Sequence, residues 1–143
     1  NCLQGDLSLL SKRTAATIIT PHPGELARLL NTDIAEIEAD RIASTRNAAQ
    51  QAQAVVVLKG ACTVVADSTG EVWLNTTGND GMASGGMGDV LTGMTAAFYA
   101  GGAKLGAVAA VYYHGLAADV AAQNGMRGLA ASDVIANLRD VLG

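Results

Sequence analysis

The chain has 143 residues, 17 of them glycine, and carries a formal net charge of −4; half of its residues are hydrophobic, yet only 3% are aromatic. A chain this long supports one domain with a sizeable core, and its acidic balance argues against a nucleic-acid surface, which needs a basic face, though not against a small anionic ligand, which backbone N–H groups bind without net positive charge. Thr and Gly interrupt the richest apolar stretches, so no run reaches membrane-spanning length, and no basic–apolar leader opens the chain.

The first predicted element is a short buried strand, Thr17 to Thr20, stopped by Pro21-His22-Pro23. Pro23 suits the first turn of a helix, and Gly24 to Leu30 follows, with Leu26, Leu29 and Leu30 as its apolar residues. A second helix is expected from Asp33, with Glu36 three residues later as a capping box. In it Ile34, Ile37 and Ile42 fall near helical spacing, while Glu38, Asp40, Arg41 and Arg46 face water. The period then changes. Ala54-Val55-Val56-Val57-Leu58 is a continuous run of the kind that marks a strand buried on both faces. Lys59-Gly60 breaks it, Cys62 to Ala66 forms another strand, Asp67 to Gly70 a turn, and Glu71 to Leu74 a third strand. Asn75 to Gly88 is a long loop rich in Gly, Asn, Thr and Ser, which points to function.

Asp89 then opens a helix with Val90, Leu91, Met94, Ala97 and Phe98 on one face, closed by Gly101-Gly102. The next helix places Leu105, Val108, Ala109, Tyr112, Leu116 and Val120 on one stripe. Ser132 caps a last helix with Val134, Leu138, Val141 and Leu142 inward. Helices, strands, a glycine loop and three more helices make an α/β layer architecture.

Three groups of residues carry candidate chemistry. In Gly81-Met82-Ala83-Ser84-Gly85-Gly86-Met87-Gly88-Asp89 four glycines precede a helix start. Successive N–H groups converge there on one anion, and the helix N-terminus adds free donors. Asp89 is out of place in a phosphate cradle unless its carboxylate accepts a proton from a hydroxyl being phosphorylated; a flexible loop with Asp89 as an ordinary N-cap explains the spacing about as well. Lys59, leaving a buried strand, can reach phosphates at the carboxyl edge of a sheet, or be a solvated lysine in a turn. Thr20-Pro21-His22-Pro23-Gly24-Glu25 holds His22 rigidly at a strand end, and a stiff turn with His22 capping the next helix is an equal reading. His114 reads as a packed histidine, and Trp73 and the tyrosines as packing residues. Cys2 and Cys62 have no metal or redox spacing. They read as reduced thiols that pack as small hydrophobes, in keeping with a cytoplasmic protein.

The three motifs, followed by Tyr113-His114-Gly115-Leu116-Ala117-Ala118-Asp119, occur in an order that resembles the NAD(P)H-hydrate dehydratase family, the carboxyl-terminal domain of YjeF-type repair proteins within the ribokinase-like superfamily. The resemblance runs from about Thr17 to Leu142. It implies a layered sheet with helices on both faces. His22 matches a histidine that contacts the hydrated nicotinamide. Lys59, Gly60, Ala61, Cys62 and Thr63 match the segment that holds the nucleotide phosphates. Asn79, Gly85, Gly86 and Gly88 match the glycine loop and anion hole, and Asp89 matches the catalytic aspartate facing the substrate hydroxyl. Two positions depart from the pattern: Asp80 stands where many relatives have proline, expected to loosen the loop, and Met87 replaces the more usual Thr or Ser, removing a hydroxyl donor. The Gly86 and Gly88 backbone donors remain.

The resemblance also implies an amino-terminal half ahead of the Thr-Pro-His-Pro-Gly-Glu motif. Here only 19 residues precede Thr20, of which Gly5 to Leu10 weakly resemble the family's Asp-Ala-Leu-Asn stretch, and the chain opens with Asn1 rather than Met. The expectation is a single domain that is the carboxyl-terminal, nucleotide-binding part of a longer fold, with an exposed strand edge and apolar face that favour homo-oligomers. The implied activity is ADP- or ATP-dependent dehydration of the S-epimer of hydrated NADH or NADPH, with Mg2+ on the nucleotide, no dedicated metal site, and a fused or separate NAD(P)H-hydrate epimerase as partner. A small-alcohol or vitamin-precursor kinase, or a fragment that only binds nucleotide, are the alternatives.

Overall fold

A computed structural model describes Leu3, residues 5–100 and residues 105–143. Cys2 and Gly101-Gly102, the pair expected to close a helix, lie outside the described residues. The chain forms two compact units, residues 1–74 and residues 75–143.

The first unit holds a four-stranded sheet in the order β1 (Ile18–Ile19), β2 (Val55–Leu58), β3 (Val64–Ala66), β4 (Val72–Leu74). β1 runs parallel to β2, with Ile18 opposite Val55; β2, β3 and β4 form an antiparallel meander with Val57 opposite Val65 and Val65 opposite Trp73. Val56, Val57 and Leu58 are fully buried, as a continuous apolar run predicts. Asp67 sets the turn between β3 and β4: its Oδ1 accepts from the N–H groups of Thr69 (2.9 Å) and Glu71 (3.1 Å) and from Thr69 Oγ1 (2.6 Å).

Four helices accompany the sheet: α1 (Ser8–Ser11), α2 (Pro23–Leu30), α3 (Ile34–Ala39) and α4 (Arg41–Ala52). Leu7, Leu26, Ile37, Ala48, Ala49 and Ala52 form the core with Val56, Leu58, Val64 and Ala66. The alanines of α4 let the helix lie close on the strands. The sequence reading of one helix from Asp33 through Ile42 is corrected. The chain breaks at Asp40 (φ −147°, ψ 83°), whose carboxylate caps α4 by accepting from Ala43 N–H at 2.8 Å. Asp33 makes no side-chain cap, and Ile34 and Ile42 are exposed, leaving Ile37 as the buried isoleucine. β1 is shorter than expected, and β3 starts only at Val64, because Thr63 turns back to donate its hydroxyl to Gly60 O at 3.0 Å.

The second unit contains α5 (Met87–Ala100), α6 (Gly106–Ala121) and α7 (Ala131–Leu142), with a 3-10 turn at Asp80–Met82 and another at Ala122–Asn124. Met87, Ala117, Ala118, Leu129 and Val134 form its core. The predicted stripe on α6 is corrected. Leu105 and Tyr112 are exposed, and the buried face is Gly106, Ala107, Ala110, Val111, His114, Gly115, Ala117 and Ala118. The helix is apolar nearly all round, so close approach decides which side packs. A Cβ at Gly106 would come within 3.0 Å of the Phe98 and Tyr99 backbone. Phe98 stacks on Tyr113 at a centroid distance of 5.8 Å, in the packing role expected of the aromatics. Two further corrections concern α7. It begins at Ala131, so Ser132 is inside the helix and the Asp133 carboxylate satisfies Ala130 N–H at 2.8 Å; Leu142 points outward.

Candidate active site

Pro21-His22-Pro23 ends β1 and starts α2 with Pro23 as its first residue. His22 takes the N-cap. Its Nδ1 accepts from Glu25 N–H at 3.3 Å, and Glu25 Oε2 accepts from His22 N–H at 2.7 Å, a reciprocal box. The ring is exposed, and its Nε2 lies 3.7 Å from Glu25 Oε2. Glu25 also lies 3.7 Å from Lys59 Nζ, and Pro21 O accepts from Lys59 N–H at 2.9 Å. Burial opposes the charged Glu25 carboxylate, but the His22 N–H and the charges of Lys59, His22 and Arg28 outweigh it and hold its pKa below the usual 4.5. The structure therefore brings His22 and Lys59 together through a carboxylate that the sequence reading quoted but gave no role.

Lys59, Gly60, Ala61, Cys62 and Thr63 form one tight turn. Gly60 has φ +134°, a conformation that favours glycine, and Cys62 has φ +50°. Cys62 is exposed at this turn, which corrects its reading as a packed hydrophobe. The turn lifts it away from the strands on either side. Below Gly60 lies the guanidinium of Arg41, the first residue of α4. Its Nη2 donates to Leu58 O (3.4 Å) and Lys59 O (3.2 Å), and Nη1 to Glu38 Oε1 (2.8 Å). Arg41 was expected to face water; its side chain is only 17% exposed.

In the second unit Asn79 caps the 3-10 turn, its Oδ1 accepting from Gly81 N–H at 3.0 Å. Its Nδ2 donates to Asp119 Oδ1 at 2.9 Å, and Asp119 Oδ2 accepts from Gly78 N–H at 2.8 Å. Gly115 allows the loop to lie on α6: a Cβ there would meet Thr77 Oγ1, Thr77 C (2.7 Å) and Gly78 N (2.9 Å). Asp119 and Gly115 both sit in the Tyr113–Asp119 run, where spacing alone assigned them nothing. Asp80 opens the 3-10 turn, capped in this way, where the missing proline had suggested a looser loop.

Gly85 and Gly86 are exposed, and Gly86 has φ +86°. Gly86 O accepts from both Asp89 N–H and Val90 N–H at 3.1 Å. The helix thus starts at Met87, two residues earlier than predicted, and Asp89 is its third residue rather than its cap. The N–H groups of Met87 and Gly88 precede the first intrahelical bond, and with the helix dipole they suit an anion. Asp89 projects its carboxylate to solvent in that same turn. Met87 is buried in the core of the unit, so its side chain points away from the exposed Gly85-Gly86.

His114 is buried beside the Met87 backbone, and its Nε2 has no hydrogen-bond partner. Burial pushes its pKa below 6.5, while the Met87 backbone works in the other direction. It is the packed histidine that the sequence suggested. Among the described residues no three His, Cys, Asp or Glu side chains gather as a metal site, and no helix is long and apolar enough to cross a membrane.

A family model described as NAD(P)H-hydrate dehydratase matches residues 2–139. The bifunctional NAD(P)H-hydrate repair enzyme Nnr of Moorella thermoacetica is 46% identical over 99% of the chain, which spans 27% of that protein. The Bacillus subtilis ADP/ATP-dependent NAD(P)H-hydrate dehydratase, crystallised with ATP and Mg2+, superposes with a TM-score of 0.87 at 37% identity, covering 92% of this chain and 48% of that one. A ribokinase-like superfamily protein of Enterococcus faecalis superposes with a TM-score of 0.74 at 29% identity, over 96% of this chain and 50% of that one. The α/β fold is thus ribokinase-like, and the chain covers about half of each solved relative.

Proposed function

Since the chain belongs to the NAD(P)H-hydrate dehydratase family, we propose that the protein restores NADH and NADPH from the S-epimer of their hydrates, with ADP or ATP as phosphoryl donor. The observation that carries the reading is the place of Asp89: a free carboxylate in the first turn of α5, directly after Gly85-Gly86-Met87-Gly88. A carboxylate repels phosphate, so its place among phosphate-binding donors suits a proton acceptor for a hydroxyl nucleophile. The hydrate's ring hydroxyl attacks the terminal phosphorus, Asp89 takes its proton, and AMP leaves from ADP, or ADP from ATP. The ring nitrogen then pushes in its electron pair and phosphate departs with the C–O pair. Loss of the neighbouring C–H proton restores the dihydronicotinamide.

In this reading Lys59, Gly60, Ala61, Cys62 and Thr63 bind the nucleotide phosphates, with Asn79, Gly85, Gly86 and Gly88 as glycine loop and anion hole. His22 contacts the hydrated nicotinamide. Mg2+ neutralises the phosphate charge. The chain is the nucleotide-handling part of a ribokinase-like domain in a cytoplasmic homo-oligomer working beside an NAD(P)H-hydrate epimerase.

The test is incubation with hydrate and ADP or ATP, following the absorbance of reduced nicotinamide. Restored NAD(P)H with free phosphate is expected. A stable phosphorylated product would make the protein a kinase instead.

A further inference from the structure

Arg41 belongs to neither half of that reading, yet it holds the backbone on which the phosphate-binding turn depends. We infer that Arg41 is a positioning residue for anion binding: its guanidinium fixes the peptide planes on either side of Lys59 so that Gly60 N–H faces the phosphates. The inference rests on the reading of Lys59 to Thr63 as the phosphate-binding turn.

In a trans peptide the C=O and N–H point in opposite directions. Leu58 O is held by Arg41 Nη2, and the N–H of the same plane is held by Pro21 O. In the next plane Lys59 O is again held by Arg41 Nη2 at 3.2 Å, which turns Gly60 N–H to the side away from the guanidinium. Gly60 O, in turn, is held by Thr63 Oγ1. Three consecutive carbonyl oxygens, each of which would repel a phosphate, are thereby tied down. The guanidinium lies so close that a Cβ on Gly60 would sit 3.1 Å from Nη2 and 3.3 Å from Nη1. Arg41 Nη1 is held in turn by Glu38 Oε1 at 2.8 Å, which fixes the plane of the guanidinium under the turn.

The test uses the full chain, 15N-labelled, with ADP as the probe in calorimetry and in amide spectra, and with melting recorded for every variant. Arg41→Met is expected to weaken ADP about tenfold or more, the scale of one hydrogen bond to a charged group. The Gly60 amide is expected to lose its response to ADP, with KM for the hydrate little changed. Arg41→Lys keeps the charge but not the planar fork. It is expected to weaken ADP with an unchanged melting midpoint, and it carries the test if Arg41→Met does not fold. Wild-type ADP affinity in the folded Arg41 variant, alongside a Lys59→Ala variant that has lost ADP, overturns the inference and leaves the site reading intact. Wild-type affinity in Lys59→Ala overturns both.

Discussion

The carboxylate of Glu25 lies 3.7 Å from the ammonium of Lys59. In the proposed role of Lys59, a phosphate arriving there competes with a resident anion. Glu25→Gln keeps an acceptor for His22 N–H but removes the charge. ADP is expected to bind a few-fold tighter, within the range of about 0.2–1 kcal/mol for partly exposed pairs, as read by calorimetry at low salt. Unchanged affinity would mean that the pair is not at the nucleotide. Because the folded Glu25 pKa is depressed, its contribution to stability is present above 4.5 and is lost as pH falls through the folded value. Between pH 5 and 8 it adds no pH dependence.

Asp89→Asn preserves shape and removes the proton acceptor. Turnover is expected to fall by about 10² or more, the lower end for a general base, while ADP affinity holds or rises because a charge near phosphate is gone. Asp89 is the third residue of α5, not its cap, so the change costs only the dipole interaction, about 0.3–1 kcal/mol. Near-normal turnover would remove Asp89 from the chemistry.

Asp119 and Gly115 hold the start of the glycine loop. Asp119→Ala leaves Gly78 N–H and Asn79 Nδ2 without their acceptors, at about 1–3 kcal/mol for each group that stays buried. Gly115→Ala forces a Cβ against Thr77 and Gly78 backbone, at about 1–3 kcal/mol for overpacking. Both are expected to lower the melting midpoint and reduce kcat, with the hydrate KM as a control. A variant with wild-type melting would show that the loop is held by other contacts.

His114 has a pKa depressed by burial. The unfolded chain then binds the proton first, so stability is complete above 6.5 and falls with pH from there down to the folded pKa. Denaturant melts from pH 7.5 to 5 are expected to show this loss, and His114→Gln, which cannot titrate, to flatten it. An identical slope in the variant would assign the loss to other groups.

Much of this architecture is legible in the residues. Val55 to Leu58 is a buried strand because β-branched apolar residues without polar interruption permit little else, and Pro23 after His22 announces the start of α2. The misreadings have a common cause. Periodicity tells which residues are apolar, not which side packs closest. At α6, Leu105 and Tyr112 have the larger side chains and were placed inward, yet only Gly106 and Gly115 admit a neighbouring backbone. Arg41 looked like a surface cation because its partners, the carbonyls of Leu58 and Lys59, carry no sequence signal. Glu25 and Asp119 lay within quoted motifs, but their partners are a backbone N–H and residues up to 41 positions away.

The turn held by Asp67 bears on how the sheet assembles in time. β3 and β4 meet across a few residues, and three hydrogen bonds to one carboxylate oxygen fix their register. Such a hairpin closes in about 1–10 μs. β1 must wait for α2, α3 and α4 to be threaded before Ile18 finds Val55, and long-range parallel pairing of this kind is slow. By sequence separation alone, the β3–β4 turn that Asp67 sets is the local pairing of the sheet and β1–β2 the long-range one.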